Sequence, residues 1–293
     1  MGEGCEDDSA ILGTNPATRL SPRAGHPARP RTLHAVNSLR QQALDIVLQA
    51  APDLKAASAR ALDEQGVLDA DTVIATPAGI PGRPARPELV GHTALKHRSM
   101  RTIEGRAALI HALAHIELNA IDLALDIVWR FAGMPEAFYR QWIVVAKEEA
   151  LHFELLRDHL RTLGFGYGDF PAHNALWEMA EKTQHDMLAR LAIVPRTLEA
   201  RGLDASLPIK AKLVGAGDLR AGEILDLILR DEIGHVAVGN FWYRQQCEQR
   251  GLDPIATYAE LAERYRAPRP RGPFNLEARR AAGFSDEELA LLA

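Results

Sequence analysis

Two copies of one short pattern constrain this chain more than any other feature in it. Glu149-Ala150-Leu151-His152 and Glu232-Ile233-Gly234-His235 both read Glu-x-x-His, and each glutamate is preceded by another acid, Glu148 or Asp231. Residues three apart on an α-helix share a face, so within each copy a carboxylate and an imidazole can aim at one point. Both copies interrupt apolar stripes rather than decorate polar faces. Glu149 and His152 lie with Trp142, Val145, Phe153 and Leu156, and Glu232 and His235 lie with Leu225, Ile228, Val236, Gly239 and Trp242. Inward Glu-x-x-His pairs on two helices, with one glutamate from each of two more, form the ligand set of a two-metal site in a four-helix bundle.

The pattern around the motifs supplies those helices. Helical periodicity covers 104–131, with Gly133 after it and Pro135 opening a second helix that runs to about 163 and stops at Gly164. A third helix is expected over about 172–200, ending at Gly202, followed by a loop containing Pro208, Gly215 and Gly217. A fourth runs from about 218 to 250 and closes at Gly251. The fold class is therefore all-α: a four-helix bundle over 101–252, with no strand pattern of comparable strength. The link at 164–173, fully extended, reaches at most about 33–36 Å, enough to cross such a bundle end to end.

Outside the bundle the chain divides by composition. Residues 1–32, rich in Pro, Gly, Arg and Ala, read as a disordered extension whose Arg19, Arg23, Arg29 and Arg31 are solvated. Residues 33–100 form an N-terminal segment of two short helices, marked by Leu39, Leu44, Val47 and Leu48 and by 57–62. It ends in a proline-rich run at 76–87 that can only be an extended strap. The tail, 253–293, is expected to wrap the bundle, with a helix near 258–265 and a capping box at Ser285 and Glu288.

Two further carboxylates complete the ligand set. Glu117 sits in the apolar stripe of Ile110, Leu113, Ala114, Ile121, Ala124 and Val128, whereas Asp122 and Asp126 fall on the far side and read as solvated. A buried unpaired carboxylate is costly, so Glu117 needs a partner or a metal. On the third helix Glu178, Glu181 and His185 compete with Glu199, and spacing decides. Glu117 to Glu149 is 32 residues and Glu199 to Glu232 is 33, as two hairpins related by pseudo-symmetry would show. Pro195, one turn before Glu199, distorts the helix there. His111 and His115 lie off the Glu117 face and read as packing or interhelical hydrogen-bonding residues. Glu148 and Asp231 read either as acceptors for the ligand histidines or as solvated acids.

These residues resemble the ferritin-like di-iron carboxylate superfamily. Glu148–His152 is close to the second-helix motif of its oxygenase and reductase members, and Asp231–His235 resembles the fourth-helix motif. The stretches 111–118 and 194–202 and the Gly272-Pro273-Phe274-Asn275 tail resemble a bacterial ferritin-like family without an assigned function, over roughly 33–293. A more distant resemblance is to the tRNA-modifying di-iron hydroxylase. The resemblance implies metal ligands at Glu117, Glu149, His152, Glu199, Glu232 and His235 and a di-iron or iron–manganese centre; it supplies no substrate.

Ligand type points the same way. Carboxylates with one imidazole per metal suit iron(II) or manganese(II) and poorly suit copper or structural zinc. Two ions are expected, iron first and manganese as the alternative. The leading function is an O2-dependent oxidoreductase, a hydroxylase or monooxygenase acting on a small-molecule or RNA substrate. Its electrons would come from an external donor, because no Gly-x-Gly-x-x-Gly follows a strand. The alternatives are a ferroxidase or iron-handling protein and a metal-free helical interaction module. A net charge of −5 argues against general binding to nucleic acid or acidic membrane. Two cysteines make no disulfide framework and fit a cytoplasmic setting. No apolar run reaches the length of a membrane span, and homodimerisation stays open.

Overall fold

Local chemistry sets the helix boundaries. A computed structural model describes residues 37–91 and 98–292, together with residues 1 and 94; the expected extension at 1–32 lies outside them apart from residue 1. Helices α1 (Leu39–Val47) and α2 (Pro52–Arg60) precede the first long helix, α3 (Ile103–Arg130), which starts where Thr102 Oγ1 accepts from Gly105 N at 3.0 Å. Helix α4 (Glu136–Thr162) follows Pro135 and ends before Gly164, whose φ of 85° only glycine adopts without strain. Helix α8 (Leu219–Gln249) is capped by Asp218, and α9 (Pro254–Arg264) by Asp253. The tail carries α10 (Leu276–Ala281) and α11 (Asp286–Ala290), the latter opened by the expected Ser285–Glu288 capping box. The described residues are helical and contain no strand, only an isolated parallel bridge between Leu89 and Ala172.

The third bundle helix differs from the sequence expectation. It is built as α5 (Ala175–Lys182), a turn, α6 (Met187–Ile193), a π-helical segment (Val194–Glu199) and α7 (Ala200–Gly215). Asp186 restarts the helix by accepting from Leu188 N and Ala189 N. Helix α7 runs straight past Gly202 and through Pro208, where a loop was expected. Pro208 is exposed, and the helix passes through it at the loss of one backbone hydrogen bond, to the Asp204 carbonyl.

Helix α3 is the structural axis. It packs against α4 along its length and also against α1, α2 and α5, while α8 packs against α4, α6 and α7. That coat overturns the reading of Asp122 and Asp126 as solvated. Asp122 is buried and paired with Lys55 of α2 at 2.5 Å, and Asp126 is fully buried against Arg190 of α6 and Arg130. Burial pushes the Asp122 carboxyl up to about 6 even with Lys55 beside it. A single helical wheel cannot show that elements from elsewhere in the chain cover the outer side. Among the described residues α3 is also the one helix long and apolar enough to cross a membrane by length and composition; 72% of its apolar window is buried inside the protein.

Arg40 ties the N-terminal segment to this axis. Its buried guanidinium donates to the carbonyls of Val128 and Trp129, the otherwise open end of α3, and to those of Asp69, Ala70 and Thr72. The proline-rich strap contains no helix and presses in at Gly82, where a Cβ would lie 2.0 Å from the Leu48 carbonyl oxygen. The link after α4 is held by the two histidines that lie off the Glu117 face. His115 Nδ1 meets the Tyr167 hydroxyl at 2.8 Å and its Nε2 donates to the His173 carbonyl; His111 Nε2 accepts from Gly168 N at 2.9 Å.

Candidate metal centre

The bundle brings the motif residues to one buried point. Glu117 comes from α3, Glu149 and His152 from α4, Glu199 from the end of the π-segment, and Glu232 and His235 from α8. Side-chain ligand atoms of Glu117, Glu149, His152 and Glu232 all lie within 4.8 Å of one another, and all four residues are buried. His235 adjoins this group. Its Nδ1 is 2.9 Å from Glu149 Oε1 and 3.6 Å from Glu232 Oε1, and the two imidazole centroids are 5.8 Å apart.

The two imidazoles are held in the same way. His152 Nδ1 faces Glu149 Oε2 at 3.4 Å and Glu117 Oε2 at 3.6 Å, while its Nε2 donates to Asp231 Oδ2 at 3.1 Å. His235 Nε2 donates to Glu148 Oε2 at 2.8 Å. The acids that precede the motif glutamates are thus crossed: each binds the histidine of the other helix. Each bond occupies Nε2, so Nδ1 is the nitrogen turned toward the carboxylates and the one left to ligate a cation. His235 Nδ1 is close to Glu149 but lacks the alignment of a hydrogen bond, so this nitrogen faces the carboxylates without a hydrogen-bond partner.

Glu149 stands between the imidazoles, one oxygen toward each. Glu199 is half-buried near Glu232, Glu149 and His235, and its Oε2, shielded from solvent, has no hydrogen-bond partner. The residues therefore sort into two overlapping groups: Glu117, Glu149, His152 and Glu232, and Glu149, Glu232, His235 and Glu199. Glu178, Glu181 and His185 stand apart from both; Glu181 accepts from the Trp177 indole.

Burial and like charge set the electrostatics. Burial raises Glu117 and Glu199 well above the usual carboxylate range. Glu149 adds to both shifts and Glu232 adds to that of Glu199. Glu232 is raised by burial and by Glu149. Burial also works against ionisation of Glu149, but the two imidazoles win and hold it well below that range. Both histidines are raised well above the usual imidazole value, because surrounding carboxylates outweigh the burial that would lower them. With no cation present the site must keep protons to stay neutral. A carboxylate oxygen and an imidazole nitrogen, both buried without a hydrogen-bond partner, beside hard oxygen ligands fit one or two hard or borderline divalent cations.

Comparison with known proteins places the chain. The family model described as a protein of unknown function (DUF455) matches residues 48–290, a span that holds all six candidate ligands and both crossed acids. The chain belongs to the DUF455 family. An "Uncharacterized protein" of Haemophilus influenzae is 49% identical to this DUF455 chain over 213 residues, covering 70% of the chain and 74% of the relative. No solved structure matches the DUF455 chain.

Sequence reasoning missed several buried charges of this DUF455 fold. Lys55, Arg40, Arg190 and Arg196 are each nearly inaccessible and each holds a carboxylate or a row of carbonyls. The available signal was a lone basic residue in an apolar run, as in Met187-Leu188-Ala189-Arg190-Leu191-Ala192.

Proposed function

We propose that the six-residue cluster binds two iron ions, or iron with manganese, in a ferritin-like bundle, and that the protein is an O2-dependent oxidoreductase of the hydroxylase type. One observation carries the reading. Two histidines from different helices turn Nδ1 toward a shared set of buried carboxylates, each fixed through Nε2 by an acid of the opposite helix. A structural ion pair needs one such contact; the crossed acids serve to set the tautomer of a ligand. Glu117, Glu149, His152 and Glu232 would hold one ion, and Glu149, Glu232, His235 and Glu199 the other, with Glu149 and Glu232 shared. Such a pair supplies binding and reduction of dioxygen with electrons from an external donor. The chain would contribute a buried, pre-arranged ligand set, and with metal bound Asp231 and Glu148 would keep the imidazole protons on Nε2, away from the ions.

The test is metal content of the purified protein beside Glu149→Ala and Glu232→Ala. Two ions per chain, lost in both variants with helicity retained, and oxygen uptake on adding a reductant support the full reading. Metal without oxygen uptake, or uptake only in proportion to added iron(II), moves the protein to iron handling or a ferroxidase. A wild type that stays metal-free after anaerobic incubation with iron(II) leaves the second reading, a helical module whose Glu149 carboxylate is paired with both imidazoles.

A further inference from the structure

Glu199 reaches the cluster from the π-turn that joins α6 to α7. Pro195 has no N–H for the α ladder, and the Ala200 N–H bonds the Pro195 carbonyl five residues back. Thr197 Oγ1 donates to the Ala192 carbonyl at 2.8 Å, also five residues back. A π-turn inserts one residue, so reversion to an α register would rotate the residues beyond it by about 100°.

The same turn is gripped by distant parts of the chain. Arg196 is 3% exposed. It donates to Asn240 Oδ1 at 2.7 Å and to Glu288 of α11, and its guanidinium carbon lies 4.8–5.1 Å from the ring centroids of Phe284, Tyr243 and Tyr258. Asn240 in turn donates to the Ala282 carbonyl, and Thr197 meets the Tyr258 hydroxyl at 3.0 Å. Glu288 also accepts from Arg244 and from Ser285 N. Helix α8 makes room for the turn at Gly239, where a Cβ would lie 2.5 Å from Pro195 Cβ. The first group of ligands needs none of this, since Glu117, Glu149, His152 and Glu232 come from unbroken α-helices.

We infer that Arg196 and Glu288 are positioning residues for Glu199, so that the second metal position forms only when the C-terminal tail is docked on the π-turn. The inference rests on the two-metal reading above and adds an order: the position around Glu117 and His152 fills first, and the one around Glu199 and His235 fills second, under control of the tail.

The experiment is anaerobic titration of iron(II), alone and without substrate, into the full-length wild type, Glu288→Gln, Arg196→Met and Arg220→Met, with amide exchange at 194–199 in the metal-free proteins. Gln serves at the same place in a capping box, so Glu288→Gln keeps α11 while removing the charge on Arg196. The wild type is expected to take two ions. Glu288→Gln and Arg196→Met should keep the first at wild-type affinity, bind the second at least ten-fold more weakly, and exchange faster at 196–199. Arg220→Met, which removes only an exposed pair with Glu223, should match the wild type. Two ions at wild-type affinity in both clamp variants would overturn the inference while leaving the metal reading intact. If Arg196→Met loses its helicity, Glu288→Gln alone decides. A wild type that binds no ion overturns the metal reading and this inference with it.

Discussion

Gly239 shows how closely the residues behind the cluster are fitted. It lies one turn beyond His235, and a methyl there would fall 2.5 Å from Pro195 Cβ and 2.7 Å from Pro195 Cγ, on a ring that cannot swing aside. Gly239→Ala should therefore cost about 1–3 kcal/mol despite the better helix propensity of alanine, read as a shifted denaturant midpoint at unchanged slope. At this scale the site was largely legible. Glu149, His152, Glu232 and His235 announced themselves as polar residues at helical spacing inside apolar stripes, and Glu117 did so alone. Asp122 and Asp126 did not, because their burial is made by Lys55 and Arg190, far away in sequence. Glu199 was chosen by its distance from Glu232; the turn that delivers it starts from Pro195, yet neither its π geometry nor the Arg196 clamp has a local pattern.

Between elements, the link from α4 to α5 makes the clearest statement. It crosses α3 on two buried histidines, His111 and His115, whose burial holds both at about 4. An unfolded histidine titrates near 6.5, so between the two values the folded chain binds fewer protons than the unfolded one. The stability they contribute is complete above about pH 6.5 and drains as the pH falls toward about 4, at about 1.4 kcal/mol per pH unit for each histidine. Urea unfolding across this range should show that slope, and His111→Gln, which keeps an acceptor for Gly168 N, should reduce it. The ends of α3, α4 and α8 could be read from Gly133, Gly164, Pro135 and Gly251. The third helix could not. Gly202 and Pro208 signal a stop, and tertiary packing of Ala200, Leu203 and Leu213 overrides it.

Taken as one molecule, the protein assembles four carboxylates and two imidazoles from helices spread over 117–235. On the metal reading, loading should stabilise it by about 2.7 kcal/mol at a free ion concentration one hundred times Kd, reversed by a chelator. Loading must also expel protons, since without an ion Glu117, Glu199, Glu232 and both imidazoles are raised. Affinity should then rise with pH, and calorimetry in buffers of different ionisation enthalpy should report proton release. Bundle and site were readable because a buried charge inside an apolar helix leaves a local pattern. The coat around them was not, since it is made by contacts between remote segments.

That coat governs more than packing. Helix α3 spans 28 residues and holds a stretch whose mean hydropathy, 1.4, is that of a bilayer-crossing segment. Its covers come from both sides in sequence, α1 and α2 before it and α4 and α5 after it. As the chain is synthesised, the first covers already exist when α3 emerges, and Arg40 is waiting for the carbonyls at its far end. A chain stripped of 37–100 would meet the same moment with a bare greasy rod, a substrate for chaperones, bilayers or other copies of itself.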